Sequence, residues 1–173
     1  MRRTTATPEY LKESMGTALL ELMKEKTLEK ITIEEMTAKA DVGRSTYFRY
    51  FKSKEEVLAF KLAALYRSSF VHNIGPVDTV SELMGIIEKF FSFWLSIQGT
   101  VDQIVAPGHF DVLSMAYSQI MGDMQFPTEQ EYVNRFVLSG LFGVHYGWVL
   151  NGYRETPEEL AGAIVHKVFR FFQ

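Results

Sequence analysis

The chain has 173 residues, of which 47% are apolar and 14% aromatic, with no cysteine and a formal net charge of −3. That length suits one domain, or a small domain joined to a modest second one, and that apolar content excludes a disordered chain. The lack of cysteine excludes a disulfide framework and a thiolate metal site, and it fits a reducing compartment. The longest uncharged stretch, residues 136–153, has 18 residues, and its apolar part, Phe136 to Leu150, has 15, short of the roughly 20 that a membrane helix needs. Arg2 and Arg3 are followed by no apolar run, so no secretory signal is expected and a cytoplasmic location is. The charge is uneven. Residues 1–54 carry 11 Lys and Arg against 8 Asp and Glu, a net of +3, and residues 55–173 carry a net of −6. A basic head on an acidic body suggests that only the head meets a polyanion.

Helix signals run from end to end. Thr7-Pro8 is a start signal, and Leu11, Met15, Ala18, Leu19 and Leu22 then recur at helical spacing. Five S/T-x-x-E pairs follow: Thr32 with Glu35, Ser53 with Glu56, Thr79 with Glu82, Thr128 with Glu131, and Thr156 with Glu159. Each can satisfy free amides at a helix start. Pro76, Pro107, Pro127 and Pro157 punctuate the periodic segments. The expectation is an all-α chain of about nine helices, near 8–26, 33–40, 44–51, 54–73, 79–97, 100–106, 109–123, 129–151 and 157–172.

The segment from Thr32 to Lys54 is the informative one. A capped helix from Ile33 to Ala40, the turn Asp41-Val42-Gly43 and a second short helix from Arg44 to Phe51 make a helix-turn-helix pattern. In that motif the second helix enters the major groove of DNA. Tyr47 and Phe51 share one face and would anchor it, leaving Arg44, Ser45, Thr46, Phe48 and Arg49 on the other sides. From Gly43 to Lys54 there are four basic residues and no acid, as a helix facing phosphates requires. The plainer reading is an amphipathic surface helix with its aromatics in a core.

The stretch ITIEEMTAKADVGRSTYFRYFKSKEEVL resembles the N-terminal DNA-binding domain of the TetR (tetracycline repressor) family. Thr32, Val42, Thr46, Tyr50, Phe51, Lys52, Lys54 and Val57-Leu58 match the family pattern in place. Asp41 stands where glycine is common, Gly43 where serine is common, and Tyr47-Phe48 appears in swapped order. The resemblance implies that Thr32, Tyr50 and Lys54 meet phosphates. Arg44, Ser45, Thr46 and Arg49 would face bases, and Phe48 would lie against sugar or methyl groups. It implies a DNA-binding domain over 1–53 and an effector-binding and dimerisation domain over 54–173. Arg2 and Arg3 could form a minor-groove arm, against the commoner outcome of a disordered terminus.

The remainder carries no catalytic, metal or cofactor constellation. His72, His109, His145 and His166 are scattered, and the phosphate-loop, nucleophile-elbow and dinucleotide-binding motifs are absent. Gly140, Gly143 and Gly147 fall near one face of the helix that also holds Phe136. Three glycines in one helix imply a close helix–helix approach or room for a ligand. Leu160, Ile164 and Val168 give the last helix a stripe too wide for one contact. By resemblance, these two helices form a homodimer interface, and a two-fold dimer would read an inverted-repeat operator. Phe90, Phe93, Trp94, Met115, Tyr117, Met121, His145, Tyr146 and Trp148 read first as core. By resemblance they surround a pocket for an apolar or aromatic effector. The expected function is a one-component repressor released by such an effector; the alternative is a helical ligand-binding or interaction module without specific DNA binding.

Overall fold

The computed structural model describes residues 7–70, 79–124, 128 and 131–168. Arg2, Arg3, Pro76, Pro127 and the side chain of Val168 lie outside the described residues. Among the described residues there are nine α-helices: α1 (Pro8–Met23), α2 (Ile33–Lys39), α3 (Arg44–Tyr50), α4 (Lys54–Phe70), α5 (Val80–Ser96), α6 (Gln98–Val105), α7 (Phe110–Asp123), α8 (Glu131–Leu150) and α9 (Pro157–Val168). The all-α expectation holds. One element was not anticipated, a single 3₁₀ turn at Leu28–Lys30. None of these helices is long and apolar enough to cross a membrane.

Capping explains most of the helix starts. Thr32 with Glu35, Thr79 with Glu82, and Thr156 with Glu159 each exchange two hydrogen bonds of 2.8–3.2 Å. Ser53 caps the Glu56 amide, but Glu56 reaches the Lys52 amide instead of its own capping residue. The Thr128–Glu131 pair spans residues 129–130, outside the described residues. Helix α1 ends at Met23, earlier than its periodicity suggests, because the next amides bond three residues back and tighten the last turn.

The chain forms two compact units, residues 1–67 with 102–123, and residues 68–101 with 124–173. In the first, α1, α2 and α3 pack on one another, and Met15, Leu19, Met36, Tyr47, Val57 and Leu58 are buried. Gly16 lets α1 close on α4, since a Cβ there would lie 2.8 Å from the Lys61 Cβ. Beside it, Lys61 donates to Glu13 at 2.6 Å. The corner before α7 turns at Gly108, whose φ of +99° favours glycine. The His109 Nε2 there meets the Glu29 carboxylate at 2.7 Å. The Glu29 carboxyl is held down to about 2, first by this hydrogen bond and then by one from Thr27.

In the second unit α9 packs on α5. Phe90, Phe91, Trp94, Phe142, His145 and Trp148 are buried and pack edge-on, tilted or stacked, with ring centroids 4.5–6.4 Å apart. Such aromatic pairs stabilise by about 0.5–1.5 kcal/mol beyond the area they bury. The α8–α9 turn closes with Gly152 at φ +71° and the Tyr153 amide on the Trp148 carbonyl. The Tyr153 ring packs on Trp148 at 5.0 Å, the apolar contact that accompanies this type of helix end.

His145 is fully buried and stacked on Trp94. Desolvation pushes its imidazole down from 6.5 to about 3, so the core holds the neutral ring. The unfolded chain takes up that proton near pH 6.5, so the stability is complete above that pH and is lost as pH falls towards 3. His145→Phe should therefore flatten the fall of the thermal midpoint between pH 6.5 and 4. Circular-dichroism melts of both proteins across that range check this; parallel curves would refute it.

Candidate nucleic-acid interface

The site is built from α2, the turn after it and α3. Thr32 begins α2, and its hydroxyl and amide are both engaged with Glu35. The Glu35 carboxyl is held down to about 2, first by Lys26, whose ammonium lies 2.5 Å away, and next by the Thr32 amide. Thr32 is thereby fixed in place while remaining exposed.

The turn Asp41-Val42-Gly43 separates α2 from α3. Gly43 has φ −72° and caps α3 in an extended conformation, so it is not the residue that turns the chain. Asp41 turns it, at φ +54°. The Asp41 amide bonds the Ala38 carbonyl at 3.2 Å, and the Val42 amide bonds the Thr37 carbonyl at 3.0 Å. This is a glycine-type helix end with aspartate in the left-handed position, which Asp tolerates better than most side chains. The glycine of the turn marks the segment, while the left-handed conformation falls on Asp41.

Helix α3 separates into rows four residues apart. Tyr47 is 1% exposed and Phe51 6% exposed, so this row faces inward. The Tyr47 phenol is raised, chiefly by burial and then by Glu55 and Glu56. Arg44, Ser45, Phe48 and Arg49 are exposed, and Thr46 and Tyr50 are half-buried. The Lys12 ammonium lies 5.4 Å from the Tyr50 ring and 5.3 Å from Phe60, a cation–π pairing that steadies the end of α3.

Lys54 has a further occupation. Its ammonium donates to the carbonyls of Leu28, Ile31 and Glu29, the last at 3.4 Å. It fastens the start of α4 to the 3₁₀ turn that leads into Thr32. Only the contacts show this role, since residue spacing carries no sign of it.

The residues named for an effector pocket fall in both units. Phe90, Phe93, Trp94, His145 and Trp148 are buried in the second, where Tyr146 is 37% exposed. Met115, Tyr117 and Met121 are half-buried in the first. The residues named for a dimer interface lie on α8 and α9. Phe136 is 69% exposed, Gly140 and Gly143 are exposed, and Gly147, Leu160 and Ile164 are half-buried. A Cβ added at any of the three glycines would meet nothing within 4 Å. The close approach expected at those glycines is therefore not made by the described residues of this chain.

Lys54→Met should leave the carbonyl of buried Ile31 without its Lys54 donor, while the Leu28 carbonyl keeps its bond from the Ile31 amide, lowering stability by about 1–3 kcal/mol. Urea unfolding checks this, and an unchanged midpoint would show that the three bonds contribute nothing.

Residues 17–59 match the sequence model of the family described as bacterial regulatory proteins, tetR family. A curated relative, the uncharacterized HTH-type transcriptional regulator YvdT of Bacillus subtilis (strain 168), is 24% identical over 113 residues. That match covers 64% of this chain and 53% of the relative, so the chain spans about half the length of the curated protein it resembles. A solved tetR-family transcriptional regulator from Streptomyces coelicolor aligns over 90% of this chain and 79% of its own, at 19% identity and a TM-score of 0.48. The similarity to the tetR family of bacterial regulatory proteins is thus carried by the helix-turn-helix segment, about a quarter of the chain.

Proposed function

We propose that the chain is a one-component transcriptional repressor that binds an inverted-repeat operator in double-stranded DNA as a homodimer. The observation that carries this reading is α3 itself. Its aromatic row is buried, its Arg44, Ser45, Phe48 and Arg49 are exposed, and no acid lies between Gly43 and Lys54. In this reading Arg44, Ser45, Thr46 and Arg49 face bases, Phe48 faces sugar or methyl groups, and Thr32 and Tyr50 meet phosphates. Lys54 acts through the turn it holds. Residues 1–53 do the reading, residues 54–173 do the dimerising and effector sensing, and the protein works in the cytoplasm.

The dimer reading rests on the exposed face of α8. Val133, Phe136, Gly140, Gly143, Gly147 and Leu150 recur at alternating spacings of three and four. Val133 is 63%, Phe136 69% and Leu150 54% exposed. An apolar stripe of that length on a helix surface calls for a partner helix, and its glycines allow a close one. A second copy of the chain, presenting α8 and α9, meets the two-fold requirement of an inverted repeat. The effector, an apolar or aromatic molecule, would have to part the Phe90–Trp94–His145–Trp148 cluster. It releases DNA only by favouring the arrangement that does not bind.

Measurements of binding, assembly and fluorescence test the reading. Selection from a random duplex library followed by titration at several salt concentrations should return an inverted repeat and a steep salt dependence. Arg44→Ala should cost about 1–3 kcal/mol at that site and relax its base preference. Lys54→Met should leave the salt slope unchanged, whereas a direct phosphate contact would lower it by about one. Binding without sequence preference would leave only a non-specific module. Gly143→Leu has open space within the chain, so it should preserve the fold while abolishing the dimer and operator binding together. Light scattering that shows a wild-type monomer would refute the dimer. Because Trp94 and Trp148 are the two tryptophans of the chain, an intruding effector should change its intrinsic fluorescence; no response to a broad set of aromatic compounds would count against the pocket.

A further inference from the structure

The rows of α3 carry information about the operator. Arg44 and Phe48 are four residues apart on one exposed row, and Ser45 and Arg49 form the next. Phe48 is 61% exposed. Its ring is braced by the edge of buried Tyr47, at 5.1 Å between centroids and 77° between planes. The ring is thus held outward by the core without being drawn into it. A phenyl ring has no hydrogen-bonding group, so it cannot read the polar edges of bases. Of the features that base pairs present in the major groove, the thymine C5-methyl is the apolar one.

Arg44 opens the helix, and the first residues of a recognition helix are those that reach base edges. Its guanidinium suits the two acceptors of guanine. Four residues of α-helix rise about 6 Å, against about 3.4 Å per base-pair step. With the row lying along the groove, the side chain that follows Arg44 by four residues meets an edge about two steps away. A row that places Arg44 at the groove floor keeps Phe48 in the groove as well and off its sugar walls.

We propose that each operator half-site carries a guanine bound by Arg44 and, about two base-pair steps away, a thymine whose methyl group packs on Phe48. The inference rests on the DNA-binding reading above and makes Phe48 a specificity-determining residue.

The test uses the full-length wild-type chain. Selection from a random duplex library defines the half-site, and each thymine is then replaced singly by deoxyuridine, which removes only the methyl. Fluorescence anisotropy should find one thymine, within about two steps of the required guanine, where uracil weakens binding about fourfold per half-site. Phe48→Ala should abolish that difference while keeping the salt slope. Replacing the guanine with 7-deazaguanine should cost about tenfold, and Arg44→Ala should abolish that sensitivity. The uracil scan needs no variant, so it remains decisive even if a substitution disturbs the fold. A selected half-site without such a thymine, uracil tolerated at every position, or a Phe48→Ala protein that still prefers thymine would each overturn the inference and leave the repressor reading standing. Failure to select any sequence would overturn both.

Discussion

The function proposed for this chain depends on one packing decision, the burial of Tyr47 and Phe51 on the inner row of α3. A seven-residue helix has little stability of its own, because nucleating a helix is costly. Burying two aromatic side chains supplies what propensity does not, on the order of 1.5–3 kcal/mol each. Once that row faces inward, helical geometry forces Arg44, Ser45, Phe48 and Arg49 outward. The exposed chemistry of α3 follows from its hidden row.

Small devices outside α3 hold it in position. Thr32 and Glu35 cap α2 reciprocally, and Lys26 loads the same carboxylate from the segment that follows α1. Asp41 accepts a left-handed conformation so that α2 can stop and α3 can begin. Lys54 gathers carbonyls of the 3₁₀ turn and so ties α4 to the approach to Thr32. Lys12, lying over Tyr50 and Phe60, does the same for the far end of α3. Each bond alone is modest, typically about 1 kcal/mol net. Together they make the head a unit whose exposed row keeps a defined geometry.

The second unit builds its core largely from aromatic rings. The rings of Phe90, Trp94, His145 and Trp148 pack together, and the neutral imidazole is retained because charging it there would cost its desolvation. Helix α8 is two-sided in consequence. Leu138, Leu141, Phe142, His145 and Trp148 serve the core, while Phe136, Gly140 and Gly143 face away from it. A helix that buries one stripe and exposes a second apolar stripe is suited to making a further contact.

The sequence alone determined the helical class, most helix starts and the segment on which the proposed function rests. Capping pairs, proline punctuation and helical periodicity act over three or four residues, and that range is written directly in the chain. The inward row of α3 was legible for the same reason. Tertiary structure decided the rest. That Asp41 turns the chain rather than Gly43 depends on which residue completes the hydrogen bonds to Thr37 and Ala38. That Lys54 reaches the carbonyls of Leu28 and Ile31 joins residues more than twenty apart. That residues 102–123 cluster with residues 1–67 is likewise a long-range matter. The α8 glycines could have marked a close approach inside the chain, and only the surrounding space showed that nothing there comes near. Periodicity tells each helix which face is apolar, but burial and hydrogen bonding between distant segments choose what that face meets.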